Sequence, residues 1–420
     1  MATKTAFKGF KQINGLASGF TESSLEQGYV YFVRTSTDKT EGYIYFNGKK
    51  YGNIDTAGIS DSKMSDTSTN PVQNKVVKAY VDEGDMYPIV YKTTDGTGTI
   101  YAYKDASYRS KVYIKGSSTG GVLWIDRNYD RIEFDPEFKS LNLLQADTRN
   151  ITNMRQMFYF CYKLTSLDLS FFDTSKVTNM NSMFNGCSGL TSLDLSSFDT
   201  SKVTDMTAMF SGCTLLTNLD LSSFDTSQVT NMNSIFETCS TLTSLDLRNF
   251  NTENVTDMTA MFCNCSKLTS LDLSSFDTSQ VTDMSYMFKY CPSLTSLDLR
   301  NFNTENVTDM TAMFCNCPKL TSLDLSSFDT SQVTDMSNMF WACISLSKLT
   351  LSSSFFNSTS LTTYDFSELT GWTDTDSLAN LVSVLPTITT TKTLKLSSNT
   401  KSALTADQTS TITTKGWAIS

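Results

Sequence analysis

The residues of this chain best suited to chemistry come in columns. Cys161, Cys187, Cys213, Cys239, Cys265, Cys291, Cys317 and Cys343 follow one another at steps of 26 residues, with Cys263 and Cys315 besides. Asp168, Asp194, Asp220, Asp246, Asp272, Asp298 and Asp324 keep the same step. A zinc site needs clustered ligands, but there is no Cys-x-x-Cys and no histidine. Disulfides between successive repeats have tolerable Cα separations, yet equivalent side chains point the same way and do not face one another. Small buried thiols are therefore expected. A row of carboxylates invites comparison with the paired acids of a glycosidase. A catalytic pair is a local exception, however, whereas these acids recur along the whole array. Like charges at that step repel, so serine and threonine donors of neighbouring rungs, or a cation, must offset them. There is no phosphate loop, nucleophile elbow or kinase signature, and without histidine the commonest general base is missing. No enzyme activity, metal or cofactor is expected.

Binding chemistry has a better candidate. Most outward slots of the repeat are uniform Ser, Thr, Asp or Asn, but the two residues before each cysteine vary. They read Tyr159-Phe160, Asn185-Gly186, Ser211-Gly212, Glu237-Thr238, Cys263-Asn264, Lys289-Tyr290, Cys315-Asn316 and Trp341-Ala342. Variation on one edge of a uniform scaffold is how repeat proteins present a binding surface. Tyr159, Lys289, Tyr290 and Trp341 are the residue types that stack on sugars or anchor protein partners. Tyr159 and Trp341 can instead cover the junctions at the two ends of the array; Tyr290 lies in its middle.

The element that must position these columns is a 26-residue unit. In one copy, Leu167 and Leu169 flank Asp168 as in a short strand. Phe172 and the turn residues Asp173-Thr174-Ser175 follow, then a brief extended stretch around Val177. Met180, Met183, Phe184 and Cys187 stand at i, i+3, i+4 and i+7, which predicts a helix of about two turns, with Asn179 as its cap. A fixed period of this size predicts a solenoid whose coils bury their apolar faces only against neighbours. The fold class expected is mixed and β-rich: a leucine-rich-repeat-like solenoid of strand, turn, extended stretch and short helix.

Around it, residues 1–60 predict an amino-terminal β module, with aromatic strands 28–33 and 42–46 and a tight turn at Asn47-Gly48. Residues 61–85 predict a short helix started by Asn70-Pro71. Val72, Val76 and Ala79, with Val77 and Tyr80 beside them, form its apolar stripe. That stripe suits packing against copies of itself or against a neighbouring domain. Residues 86–135 predict a small antiparallel β domain, 136–351 the solenoid, and 352–420 a carboxy-terminal α/β cap over its open end. The formal charge of −10 argues against nucleic acid or an anionic membrane as partner. No run approaches the length of a membrane span, and the first residues show no secretory signal.

Two resemblances add function. Ser68-Thr-Asn-Pro-Val-Gln-Asn-Lys-Val-Val-Lys-Ala-Tyr80 resembles a segment of fibre and appendage proteins of tailed phages, especially those of gut Bacteroidetes, as do residues 25–33 and 43–52. Such fibres are typically trimers joined to other virion proteins by the amino terminus. The 26-residue unit, Leu-x-x-Leu-Asp-Leu-Ser-x-Phe-Asp-Thr-Ser-x-Val-Thr-x-Met-x-x-Met-Phe, is similar to the BspA-like surface-protein repeat, a relative of leucine-rich repeats found on bacterial surfaces and in phages. Together they imply a virion fibre whose solenoid binds a host-surface or mucosal glycan or protein. A bacterial BspA-type cell-surface adhesin and a polysaccharide-cleaving tailspike are the alternatives. In the fibre reading Val72, Val76, Ala79 and Tyr80 hold a homotrimer. A fragment beginning near Tyr87 is then expected to be monomeric by light scattering, and a trimeric fragment would place the assembly contacts elsewhere.

Overall fold

The computed structural model describes ten strands between residues 9 and 142, residues 148–149, and residues 151–420 apart from 171. Strands β1 (Gly9–Leu16), β2 (Tyr29–Arg34), β3 (Glu41–Phe46) and β4 (Lys49–Asp55) form one sheet in that order. β2, β3 and β4 are the expected antiparallel run, and Phe46 pairs with Lys49 across the two-residue Asn47-Gly48 connection. β1 adds a parallel partner to β2 that the sequence did not announce. The helix expected over 61–85, with Val72, Val76, Ala79 and Tyr80, lies outside the described residues.

The small antiparallel domain expected over 86–135 is not what forms. β5 (Val90–Thr93), β6 (Tyr101–Lys104), β7 (Lys111–Lys115), β8 (Gly121–Trp124), β9 (Arg131–Phe134), β10 (Ser140–Asn142) and β11 (Ser166–Asp168) divide between two mixed sheets. β6 and β7 are antiparallel, but β9 joins β7 in parallel. β5 and β8 are antiparallel, whereas β8, β10 and β11 run parallel, one strand per successive coil. The array therefore begins earlier than residue 136. Phe134 already occupies its first aromatic rung: its ring stacks on Phe158 at 4.9 Å, and its N–H donates to the Met157 carbonyl.

Each coil buries the expected residues. In the coil ending at Cys213, Leu190, Leu193, Leu195, Phe198, Val203, Met206, Met209, Phe210 and Cys213 are all buried. What differs is the segment from Met180 to Cys187, which is no helix. The N–H groups of Met183, Asn185 and Cys187 close turns on the carbonyls three residues back, at 3.0–3.2 Å. Those of Met180, Ser182, Phe184 and Gly186 donate to Asp205, Thr207, Met209 and Ser211 of the next coil at 2.7–3.0 Å. Ser182 and Gly186 are left-handed, with φ of 55° and 76°, as the third residue of a type II turn must be. A string of such turns returns Met180, Met183, Phe184 and Cys187 to the interior at the spacing a helix would use. The hydrogen bonds go sideways to the next coil, so the helix reading fails. The polar residue before the segment caps a turn: Asn179 Oδ1 accepts the Asn181 N–H, two residues on, at 2.9 Å.

A parallel spine of single bridges links Asn153, Asn179, Asp205, Asn231, Asp257, Asp283, Asp309 and Asp335. The leucine strands form ladders only at the array's ends, β10 with β11 and β12 (Ser322–Leu325) with β13 (Lys348–Leu351). Between them the contacts loosen, with Thr217 N–H to Thr191 O and Thr269 N–H to Thr243 O both at 3.4 Å. Phe172 and Phe198, near the leucine face, are 6.4 Å apart, whereas the rings from Phe158 to Phe340 step by 5.5–5.9 Å. The coils thus lie closer together along the turn side.

Two inner columns tie coil to coil. Thr174, Thr200, Thr226, Thr252, Thr278 and Thr304 are buried. Each hydroxyl donates to a carbonyl of the next coil at 2.7–2.9 Å and accepts the N–H of the same residue at 2.7–2.8 Å. Each thus replaces a missing backbone pair. The cysteines are buried thiols with no disulfide among them. Cys187, Cys239, Cys265, Cys291 and Cys317 donate S–H to the phenylalanine carbonyl of the preceding coil at 3.1–3.2 Å. Burial pushes Cys213, Cys265 and Cys343 up to about 12, far from reactive thiolates.

An α/β segment follows the array. β14 (Thr363–Phe366), α1 (Thr375–Val384), β15 (Lys392–Leu396), α2 (Ser398–Ala403), α3 (Ala406–Thr414) and β16 (Trp417–Ile419) follow, with β14, β15 and β16 in one parallel sheet. Thr405 and Gln408 form a capping box, and Gly416 ends α3 at φ 95°. Phe366 takes the last rung of the ring stack, 5.6 Å from Phe340.

Two outcomes follow. Thr252→Val leaves the N–H and carbonyl of Asp277 unpaired and is expected to cost about 2–4 kcal/mol in urea unfolding, while Thr252→Ser stays near wild type. Thiol counting should find few reactive groups in the native protein and ten after denaturation without reductant; fewer than six would overturn the buried-thiol description.

Candidate functional site

The turn edge is built from residues whose backbone is fixed by the coil stack and whose side chains are not. Fourteen non-glycine residues among those described have positive φ, between 52° and 62°, and they fall in two columns. One runs Gln156, Ser182, Ala208, Ser234, Ala260, Tyr286, Ala312, Asn338; the other Phe160, Gly186, Gly212, Thr238, Asn264, Tyr290, Asn316, Ala342. A left-handed residue costs roughly 1–2 kcal/mol, and the hydrogen bonds to the adjoining coil hold it there. Gly186 adds a steric requirement, since a Cβ there would meet the Phe160 ring at 3.0 Å.

Tyr159, Tyr290 and Trp341 are exposed, at 41%, 38% and 45%. Lys289 is half-buried, with its ammonium 4.7 Å from the ring centre of Tyr286 and 5.2 Å from that of Tyr290. Tyr286 is the member that the helical reading concealed. The structure therefore brings Lys289 and Tyr290 together, with Trp341 two coils further along the same edge. It does not bring Tyr159 to them. Four coils intervene, carrying Asn185, Ser211, Glu237 and Cys263 in the same column, and Tyr159 packs instead on exposed Phe160, ring centres 4.6 Å apart.

A signal for these residues does lie in the sequence, at twice the repeat. Residues 240–291 and 292–343 are two copies of one 52-residue unit. They differ at six positions: Ser240/Pro292, Thr241/Ser293, Ser266/Pro318, Tyr286/Asn338, Lys289/Trp341 and Tyr290/Ala342. All six lie on the turn edge or in the loop that leaves it. The leucine face, the core and the threonine column are identical in both copies.

The aspartate column has a different role. Asp168, Asp194, Asp220, Asp272 and Asp324 each accept the N–H of the serine two residues on, at 3.0–3.1 Å. Asp246 and Asp298 accept from Arg248 and Arg300 through paired guanidinium contacts of 2.9 and 2.7 Å. Those arginine hydrogen bonds draw both carboxyls down to about 2. The donors that offset the charge come from the same coil, two residues on, and not from neighbouring rungs. These carboxylates are thus engaged as acceptors of turns within their own coils. Among the described residues no group of Cys, Asp or Glu could hold a metal ion, and no helix is long and apolar enough to cross a membrane.

Among solved structures, a leucine rich cell surface protein from Faecalibacterium prausnitzii A2-165 is 14% identical, with a TM-score of 0.23, over 63% of this chain and 95% of its own. A leucine-rich repeat protein from Eubacterium ventriosum ATCC 27560 is 12% identical, with a TM-score of 0.24, over 66% and 97%. No curated protein matches the chain. The family model described as "Mycoplasma protein of unknown function, DUF285" matches twice in succession, over residues 129–245 and 239–354. Those matches together cover residues 129–354, more than half of the 420 residues, and the chain belongs to the DUF285 family.

Proposed function

We propose that this protein is a non-catalytic binding protein of the BspA-like surface kind, whose turn edge engages a host-surface or mucosal ligand. The observation that carries this reading is the divergence of two otherwise identical 52-residue units on that edge. A purely structural array has no reason to replace Tyr286, Lys289 and Tyr290 by Asn338, Trp341 and Ala342 while leaving the leucine face alone. The left-handed column makes such changes inexpensive, because none of these side chains is locked in the core.

A tailed-phage fibre is the second reading. It is favoured by the segment Ser68–Tyr80 and the aromatic strands before it, which lie outside the residues that the family model matches. Both readings use the same edge. They differ in where the chain is displayed, which immunogold labelling of intact bacteria and of purified particles decides.

The edge itself is tested by adsorption of the purified full-length protein to mucosal epithelial cells. Replacing Lys289 and Tyr290 by Ala together, with folding checked by circular dichroism, is expected to lower adsorption about tenfold or more, the scale of a lost aromatic and cationic anchor. Adsorption equal to wild type would exclude this edge and direct attention to the leucine face.

A further inference from the structure

The edge between residues 266 and 343 has a specific form. Tyr290 and Trp341 project from coils two steps apart, and the coil between them presents only Ala312, Cys315 and Asn316. Ala312 and Cys315 are buried, at 3% and 5%, so they make a low floor between two aromatic walls. The phenylalanines preceding Lys289, Cys315 and Trp341 step by 5.8 and 5.9 Å, which puts the walls roughly 10–12 Å apart. That is close to the length of two sugar units in an extended β-linked glycan, whose alternate rings could each lie against one wall.

The polar groups around this slot divide into those bonded within the protein and those without a partner among the described residues. In the same coil the amides of Asn301 and Asn306 bond to backbone carbonyls of the preceding coil, and Asn303 caps a turn. The Asn316 side chain makes no hydrogen bond to the described residues, and neither do the Tyr290 hydroxyl and the Trp341 indole N–H. The ammonium of Lys289, held over two tyrosine rings, forms no ion pair among the described residues. The nearby acids are engaged: Asp283, Asp309 and Asp335 accept the N–H groups of Ser285, Thr311 and Ser337. In the column of Lys289 the nearest acid is Glu237, two coils away on the side opposite Trp341.

We infer that this slot binds an extended acidic glycan. Tyr290 and Trp341 stack on sugar faces, Asn316 meets a hydroxyl between them, and Lys289 pairs with a carboxylate or sulfate of the chain. The placement of Lys289 argues for an anionic group on the ligand: its ammonium is held over the Tyr286 and Tyr290 rings beside the stacking face, and the nearest acid in its column is two coils away. The two-coil spacing with a low floor argues for a ligand that itself repeats. The inference rests on the turn edge being the binding surface, and the test separates the two.

Full-length protein is titrated by biolayer interferometry against immobilised hyaluronan (carboxylate), keratan sulfate (sulfate) and chitohexaose (neutral). Binding to at least one acidic chain, absent on chitohexaose and weakening as salt rises, is expected. Hyaluronan alone would identify the carboxylate as the group read, and keratan sulfate alone the sulfate. Lys289→Met should lower that affinity about tenfold and Lys289→Arg about threefold or less, with Trp341→Ala and Tyr290→Ala each near tenfold. Failure to bind either acidic chain, equal binding to chitohexaose, or wild-type affinity in Lys289→Met would overturn the inference. If neither acidic chain binds but the Lys289/Tyr290 double variant still loses cell adsorption, the edge stands and its partner is a protein. If cell adsorption is also unchanged, both readings fall.

Discussion

The fold depends on where the backbone N–H groups of the turn side can go. A coil this narrow cannot satisfy them within itself as a helix would, so alternate N–H groups are donated to the next coil. That alternation requires a left-handed residue at every fourth position of the segment, whatever side chain stands there. Once the coils are tied at this edge, the other inner columns fall into register. Phenylalanine rings stack, thiols reach the carbonyl behind them, and threonine hydroxyls fill the gap at the opposite corner. A single coil has none of these partners. The unit that folds is therefore the array, and its ends must be closed by the strands before residue 142 and by the cap after residue 351.

Much of this was legible in the sequence. The period and the buried columns follow from spacing, as the burial of Leu190, Phe198, Met206, Phe210 and Cys213 shows. The helix expected at Met180–Cys187 was wrong for a physical reason. Linked type II turns and a helix both bring inward residues at i, i+3, i+4 and i+7, so apolar periodicity does not separate them. Glycine at Gly186 and Gly212 hinted at positive φ, but Ser182, Ala260 and Tyr286 adopt it without any such mark. Tyr286 was concealed for the same reason: read as helix, its position carried no outward edge. The threonine column was equally hidden, because Thr174 beside Asp173 and Ser175 looks like turn chemistry at the surface.

The aspartate column shows how composition misleads when partners are local. Seven carboxylates at a fixed step look like a repulsive stack in want of a counter-ion. Each is instead the acceptor of a turn in its own coil, and hydrogen bonding to the charged form lowers the carboxyl in Asp194, Asp220, Asp246, Asp272 and Asp298. For Asp220 the neighbouring Asp194 and Asp246 act the other way, after the two hydrogen bonds from Ser222. Local donors outweigh the column's own repulsion. These acids are spent on bending the chain, and the charge available for recognition has to be found elsewhere.

That division of labour explains why the edge is free to vary. A change at Phe288, Cys291 or Thr278 disturbs a ring stack, an S–H bond or a backbone substitute shared with the next coil. A change at residue 286, 289 or 290 disturbs none of them, because the bonds made there belong to the backbone. The duplicated 52-residue unit records the difference: its core is unchanged, and its edge has been rewritten. The spacing between rewritten positions is nonetheless imposed by the stack. Side chains on this edge can be exchanged but not moved, so any ligand they recognise must match the coil step. A ligand that itself repeats at the coil step meets that requirement by translation along the edge, whereas an irregular surface has to supply a separate matching contact at each coil.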